Sequence, residues 1–184
     1  MRIIRGTHKG RRINPPANLP VRPTTDLAKE SLFNILEQYF YFDELEVLDL
    51  FAGTGNISFE FASRGARQVV AVDINDKCLN FIRSVVKKFE FENLQVVKSS
   101  TLNFIRLTSR KYDVIFADPP YNLDRLDEMV VNIFKKSLLS PQGMLVVEHS
   151  AERDFSEMEW FFDVRRYGKV HFSFFSNSGK EPEG

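Results

Sequence analysis

Between residue 46 and about residue 148 the chain alternates short apolar runs with amphipathic stretches, and this alternation most constrains its fold. Val47-Leu-Asp-Leu-Phe, Gln68 to Val72, Leu94 to Val97, Tyr112 to Ala117 and Met144 to Val147 are short and almost continuously apolar. Runs of this kind suit strands buried on both faces of a parallel sheet. Between them, Ile57, Phe59, Phe61 and Ala62 mark a helix closed by Gly65, and Leu79, Ile82, Val85, Val86 and Phe89 mark a second. A short helix is expected over Leu102 to Leu107 and another from about Leu126 to Leu138. Strand and helix in strict turn specify a doubly wound α/β sheet. Trp160 to Phe175 reads as two strands joined near Gly168, which add antiparallel character at one edge. Cys78, among the apolar helix positions, reads as a packing residue.

Ahead of this block, Leu27, Leu32, Phe33, Ile35, Leu36 and Tyr39 recur at helical spacing. They predict a helix over about 25–39, with Thr24 or Thr25 as N-cap and Asp26 in the first turn. Ile3, Ile4, Gly6, Gly10 and Ile13 predict a small hairpin. The chain thus divides into a basic hairpin arm (1–23), an α/β domain (24–178) and a frayed tail (179–184), with fraying beginning at about Ser176.

Charge sharpens the division. The 184 residues carry 25 Lys plus Arg and 25 Asp plus Glu, a formal net charge of zero. The first 25 residues, however, hold Arg2, Arg5, Lys9, Arg11, Arg12 and Arg22 and no acid, so a head of +6 sits on a body of −6. Such asymmetry is a hint of nucleic-acid contact, against the plainer reading of a solvated tail. A single cysteine forms no internal disulfide and no multi-cysteine zinc site, which suits a reducing compartment. No signal peptide and no apolar run near the ~20 residues of a membrane span is expected, so the chain is read as cytoplasmic and free of membrane. His8, His149 and His171 lie far apart in sequence and lack ligand spacing, so no metal is expected. His8 reads as an RNA-contacting or surface residue and the other two as β-region residues.

Three motifs fall at strand ends, where open α/β sheets bind ligands. Asp49-Leu-Phe-Ala-Gly-Thr-Gly follows the first strand, and Gly53 and Gly55 let backbone approach a ligand. Asp73 ends the second strand, where an acid accepts hydrogen bonds from ribose hydroxyls. The third position of a dinucleotide fingerprint is Ser58, which weakens an NAD reading, and no phosphate-binding Lys follows the glycines. Asp49 suits a cationic group, so S-adenosyl-L-methionine, with its ammonium, sulfonium and ribose, fits these acids better than a pyrophosphate. Asp118-Pro-Pro-Tyr ends the fourth strand. Asp118 and the Pro119 carbonyl offer two acceptors for an NH2 group, Pro119 and Pro120 stiffen the turn, and Tyr121 can stack on a flat ring.

These residues, taken in order, resemble the RsmD family of 16S ribosomal RNA guanine-N2 methyltransferases. The resemblance rests on Arg2-Ile-Ile-Arg-Gly, Lys9-Gly-Arg-Arg, Arg22-Pro-Thr-Thr-Asp, Glu30 with Phe33-Asn, Leu48-Asp-Leu-Phe-Ala-Gly-Thr-Gly, Glu60, Ser63-Arg-Gly-Ala and Asp118-Pro-Pro-Tyr, over about residues 2–150. It implies a Rossmann-like methyltransferase fold with a mostly parallel seven-stranded sheet and S-adenosyl-L-methionine as donor. It places Asp49, Phe51, Ala52, Gly53, Gly55, Asp73, Ile74, Ser100 and Thr101 around the cofactor, with Asp73 on the ribose and Ile74 on the adenine. Ser100 stands where related enzymes often carry Asp or Asn, Asp73 where many carry Glu, and Arg5 where Gly is common. The resemblance further implies 16S rRNA as partner, within a small-subunit assembly particle, and the chain is expected to act as a monomer.

In the expected chemistry, Asp118 and the Pro119 carbonyl hold the amine hydrogens, freeing the nitrogen lone pair for in-line attack, while Tyr121 clamps the base. Alignment of this kind can lower a barrier by ~7–11 kcal/mol. The basic arm binds phosphates, and deleting residues 1–14 is expected to leave cofactor binding but abolish RNA methylation. The rivals are an amino-methyltransferase acting on DNA adenine or a protein glutamine, a noncatalytic RNA-binding protein of the same fold, and, more distantly, a NAD-dependent oxidoreductase.

Overall fold

The computed structural model describes residues 1–17, 19, 25–120, 123 and 125–182. In chain order the elements are α1 (Asp26–Leu36), a 3-10 turn (Phe42–Glu44), β1 (Glu46–Asp49), α2 (Asn56–Ser63), β2 (Gln68–Asp73), α3 (Asp76–Phe89), β3 (Leu94–Lys98), α4 (Thr101–Leu107), β4 (Tyr112–Ala117), α5 (Leu126–Lys135), β5 (Leu139–His149), β6 (Phe161–Tyr167) and β7 (Val170–Ser176). Seven strands form one sheet in the order β3-β2-β1-β4-β5-β7-β6. The first five run parallel, and β7 and β6 close the edge antiparallel. This is the Rossmann-like arrangement expected from the alternating pattern.

Alternation along each central strand divides the core between two faces. Val47, Val69, Ala71, Val114, Phe116 and Val146 face the side covered by α1, α2 and α3. Leu48, Leu50, Val70, Ile115, Leu145 and Val147 face the side covered by α4 and α5. A one-residue slip would exchange the faces without gaining polar surface, so register rests on the strand-end loops rather than on the apolar pattern.

Local chemistry sets the boundaries. Thr25 caps α1 by accepting the Ala28 N–H at 3.2 Å, and the helix ends at Leu36, three residues short of the expected span. Thr24 lies outside the described residues. Asn75 caps α3 through the Lys77 and Cys78 N–H groups. Cys78 is buried as expected, and burial, with Asp73 nearby, pushes its thiol up to about 11. The fifth helix stops at Lys135 rather than Leu138, because Ser137 turns left-handed at φ 51° and Leu138 N–H closes on Ile133 C=O. β5 begins at Leu139, five residues before the expected Met144. Its Ser140 to Gly143 stretch forms the irregularity between the Leu139–Tyr112 and Met144–Val114 pairs with β4.

The head is docked rather than loose. Its pairing reduces to one antiparallel bridge, Arg2 to Arg12, supported by Ile3 N–H to Arg11 C=O and Gly10 N–H to Ile3 C=O, so the expected hairpin is present but forms no regular strand. Ile3 and Ile13 join the core beside Leu32 and Phe59. Gly6, at φ 85°, passes so close to α2 that a Cβ would lie 1.7 Å from the Ser63 carbonyl oxygen. His8 is half-buried and anchors the head: its Nε2–H donates to the Phe89 carbonyl at 2.9 Å and its ring packs against Phe91. At the other end, Ser176 Oγ accepts from Lys180 N–H and donates to its carbonyl.

Beneath the hairpin lies a buried ionic cluster. Glu60, on a helix whose every residue is buried, accepts the N–H groups of Ile4 and Arg5 at 2.8 and 3.0 Å. Lys29 reaches Glu60 at 3.5 Å, the Arg2 carbonyl at 2.6 Å and Asn56 at 2.8 Å. Arg64 Nε adds a bond to Glu60 at 2.9 Å. Burial lowers the Lys29 pKa even against the opposing pull of Glu60.

Candidate active site

The sheet order reverses between β1 and β4, so their carboxyl ends flank the switch-point crevice in which this class of sheet binds ligands. Four adjacent parallel strands deliver acids to that edge: Asp73 ends β2, Asp49 ends β1, Asp118 follows β4 and Glu148 lies at the end of β5. The arrangement suits a cation.

Asp49 is 1% exposed. Its Oδ2 accepts the Ser58 hydroxyl at 2.5 Å, while Oδ1 is buried without a hydrogen-bond partner among the described residues. Burial pushes its pKa up to about 7, against the Ser58 bond and with help from Asp73. The glycine loop between Asp49 and α2 is wrapped by local bonds. Gly53 N–H donates to Asp73 Oδ2 at 2.8 Å, tying the loop to the second strand end. Gly55 caps α2 at φ 77°, where a side chain would be strained and its Cβ would meet the Phe59 ring at 2.7 Å. The other Asp73 oxygen accepts Asn75 N–H at 2.7 Å. Ile74, next in line, is 66% exposed, an unusual placement for a large apolar residue and one that fits a flat apolar partner.

These features fit S-adenosylmethionine. The open oxygen of Asp49 matches an ammonium, Asp73 keeps acceptor lone pairs for ribose hydroxyls, and Ile74 offers a face for adenine. Phe51 is half-buried, and Ala52 is fixed by its N–H to Val72 C=O at 3.0 Å. Thr101 is near, but its hydroxyl donates to the Leu50 carbonyl at 2.9 Å and so holds α4 to the loop. Ser100 is exposed at the start of α4.

Asp118 is half-buried and Pro119 buried. Burial first, then the charges of Glu148 and Asp49, raise the Asp118 pKa well above the usual carboxylate range. The Pro120 carbonyl accepts Leu123 N–H at 2.9 Å and so closes the turn. A cavity of about 100 Å³ opens beside the turn, lined among others by Pro119, Pro120, Glu148, His149 and Arg153. Tyr121, expected to stack on the base, lies outside the described residues.

Among the basic residues, Arg2, Arg5 and Lys9 share a cleft of about 330 Å³ with Glu30. Arg5 is also engaged by Glu37 at 2.7 Å, which partly neutralises it. Arg11 and Arg12 are exposed, with Arg11 over the Phe89 ring. Arg22 lies outside the described residues. His149 and His171, distant in sequence, are cross-strand partners with ring centroids 5.6 Å apart. His149 Nδ1 faces the Ser150 carbonyl, which only accepts, so this nitrogen carries the proton and Nε2 accepts from Ser173 Oγ. Burial lowers its pKa, consistent with a neutral, fixed ring.

Two further residues stand at this edge without having been assigned to it from the sequence: Ser58, noted there only as a departure from the dinucleotide fingerprint, which holds Asp49, and Glu148. An acid immediately after an apolar strand is the available signal for Glu148, the same signal that marks Asp49, Asp73 and Asp118.

The state of Asp49 gives a pH dependence. Its folded pKa of about 7 lies above the ordinary carboxylate value, so below pH 7 a cationic ligand must displace a proton. S-adenosylhomocysteine binding, followed by calorimetry, is expected to weaken as pH falls below 7, by up to about tenfold per unit, and to level off above it. Asp49→Asn should flatten that profile; an unchanged slope in the variant would remove Asp49 from the ammonium site.

The family model described as Conserved hypothetical protein 95 matches residues 1–176. The "Putative rRNA methyltransferase YlbH" of Bacillus subtilis is 34% identical over 161 residues, covering 85% of this chain and 86% of that protein. The "Ribosomal RNA small subunit methyltransferase D" of Haemophilus influenzae is 30% identical, covering 83% of this chain and 80% of its own length. Among solved structures, the "Putative methyltransferase yhhF from Escherichia coli" superposes with a TM-score of 0.84 at 25% identity, over 100% of this chain and 99% of that one. The matched family, the docked basic hairpin and the acids at the switch point agree with one another: the chain belongs to the RsmD family and has its Rossmann-like methyltransferase fold.

Proposed function

We propose that the protein methylates the exocyclic N2 amine of a guanine in 16S ribosomal RNA, acting as a cytoplasmic monomer on a small-subunit assembly particle. The observation that carries this reading is the placement of Asp118 and buried Pro119 at the switch point beside the open oxygen of Asp49. The names of the relatives, which are ribosomal RNA methyltransferases, support the substrate class. No helix among the described residues is long and apolar enough to cross a membrane.

S-adenosylmethionine supplies an electrophilic methyl group on its sulfonium. Asp118 and the Pro119 carbonyl accept the amine hydrogens and direct the nitrogen lone pair toward that methyl. As the N–C bond forms and the S–C bond breaks, the amine nitrogen becomes acidic and gives up a proton. A carboxylate with raised proton affinity is a matched acceptor for it. Tyr121 clamps the base by stacking, and the base leaves its helix to enter the crevice.

The arm divides between anchoring and RNA binding. Truncating residues 1–14 would strip Ile3 and Ile13 from the core and leave Glu60 without its backbone donors, so loss of activity in that truncation would also report misfolding. Replacing exposed Lys9, Arg11 and Arg12 by Gln tests RNA binding alone. RNA affinity is expected to fall, and the slope of log affinity against log salt to become shallower by about one for each phosphate no longer neutralised, with cofactor affinity unchanged. An unaltered slope would place the RNA elsewhere. The function itself is tested by offering labelled cofactor with small-subunit RNA or particles, duplex DNA and protein. Label is expected in the RNA, and label confined to DNA or protein would overturn the proposal.

A further inference from the structure

β4 and β5 run parallel with Ala117 opposite Val147, so Asp118, just past the end of β4, comes beside Glu148, which is still in β5 and pairs with Phe172 of β7. Glu148 is 4% exposed and lines the cavity beside Pro119 and Pro120. A carboxylate offers about four lone-pair sites, so Glu148, which has a partner within the protein, still has acceptor capacity for a ligand in the cavity. Its charge reaches Asp118, the second cause of that residue's raised pKa.

The chemistry of amino-bearing bases gives this placement a meaning. The N2 amine of guanine lies next to N1–H, a donor. The N6 amine of adenine lies next to N1, an acceptor, and the N4 amine of cytosine next to N3, also an acceptor. A second carboxylate beside the group that holds the amine therefore attracts guanine and repels the other two. We propose that Glu148 is a specificity-determining residue: it accepts the N1–H of the target guanine while Asp118 and the Pro119 carbonyl hold its amine. This rests on the function proposed above and names the residue that selects the base. Flipped bases are commonly read in this way along their Watson–Crick edge. The neighbours on the wall do not supply the same selection. His149 is fixed to Ser150 and Ser173, and Arg153 is held by Asp127 at 3.0 Å.

The test uses 2-aminopurine, which keeps the amine of guanine but has an acceptor at N1. Small-subunit RNA is prepared by ligation with guanine or 2-aminopurine at the mapped position. The native protein is expected to prefer guanine by on the order of 100-fold or more, because a site built for a donor is left with an unpaired acceptor when the donor is missing. In Glu148→Gln the side-chain amide can donate to the 2-aminopurine N1, and the preference should collapse to within about threefold or invert. Glu148→Ala should also lose the preference. The ratio is independent of the amount of folded protein, so a partly misfolded variant still gives an answer. An unchanged ratio in both variants, or a native protein indifferent to the two bases, would overturn the assignment of Glu148 and leave the methyltransferase reading intact. A native protein that methylates no guanine in small-subunit RNA would overturn both.

Discussion

Asp118→Ala is expected to lower methyl transfer by about 10³-fold or more, while cofactor and RNA affinities stay within about threefold of native. The size follows from the loss of a positioned proton acceptor, ordinarily 10²–10⁴-fold, together with loss of the geometry that aligns the amine. The same change should not weaken the fold. Asp118 is held in a crevice where burial and the charges of Glu148 and Asp49 oppose its ionised form, so its removal relieves repulsion. Thermal stability should be equal or higher, the pattern of a site retained for chemistry at a cost to stability. Single-turnover transfer with saturating cofactor, alongside a melting curve, checks both parts. A variant that keeps a tenth or more of native transfer would remove Asp118 from the reaction.

Glu60→Gln should produce the opposite pattern, a large loss of stability without direct contact with the reaction. Glu60 is 0% exposed and Lys29 is 1% exposed, and the pair is bonded to Ile4, Arg5, Arg64, Asn56 and the Arg2 carbonyl. Removing one partner of a buried pair costs about 3–5 kcal/mol, because the other charge remains buried. For a chain of this size that corresponds to a fall in Tm of roughly 6–20 °C. Replacing both Lys29 and Glu60 by Met, which is often harmless at a simple buried pair, should not restore stability, since two backbone N–H groups and Arg64 would still lack their acceptor. By contrast, Arg5→Ala removes an exposed pair with Glu37 and should cost less than about 1 kcal/mol. Full stability in the Lys29 and Glu60 double variant would show that the cluster does not anchor the hairpin.

How much of this was legible in the sequence depended on whether the signal was local. Val47 to Asp49 announces a buried strand and its terminal acid within a few residues, and Gly53 and Gly55 announce the turn, so Asp49 and the glycine loop could be placed from the sequence, whereas Glu148 was missed. The length of β5 could not be placed, because Pro141, Gln142 and Gly143 have loop chemistry and are carried as an irregularity between the Leu139–Tyr112 and Met144–Val114 pairs with β4. The end of α5 depended on Ser137 adopting a left-handed turn that a serine gives little reason to expect. The Lys29–Glu60 pair joins residues on two helices and needs the fold to be seen. Its trace was Glu60 itself, the one acid among Phe59, Phe61 and Ala62 on a helix buried on every side. The pairing of His149 with His171 likewise required the β5–β7 register. Basic residues that looked alike in sequence separate in space: Arg5 is tied to Glu37, while Arg11 and Arg12 remain exposed.

The central claim is that the crevice at Asp118 methylates the N2 amine of guanine in RNA. The most direct measurement is nucleoside mass spectrometry of small-subunit RNA digested after incubation, as free RNA and as assembly particles, with the native protein and isotopically labelled S-adenosylmethionine. The account predicts labelled N2-methylguanosine that disappears with Asp118→Ala. Labelled N6-methyladenosine or N4-methylcytidine in its place, or no labelled nucleoside from either substrate, would contradict it.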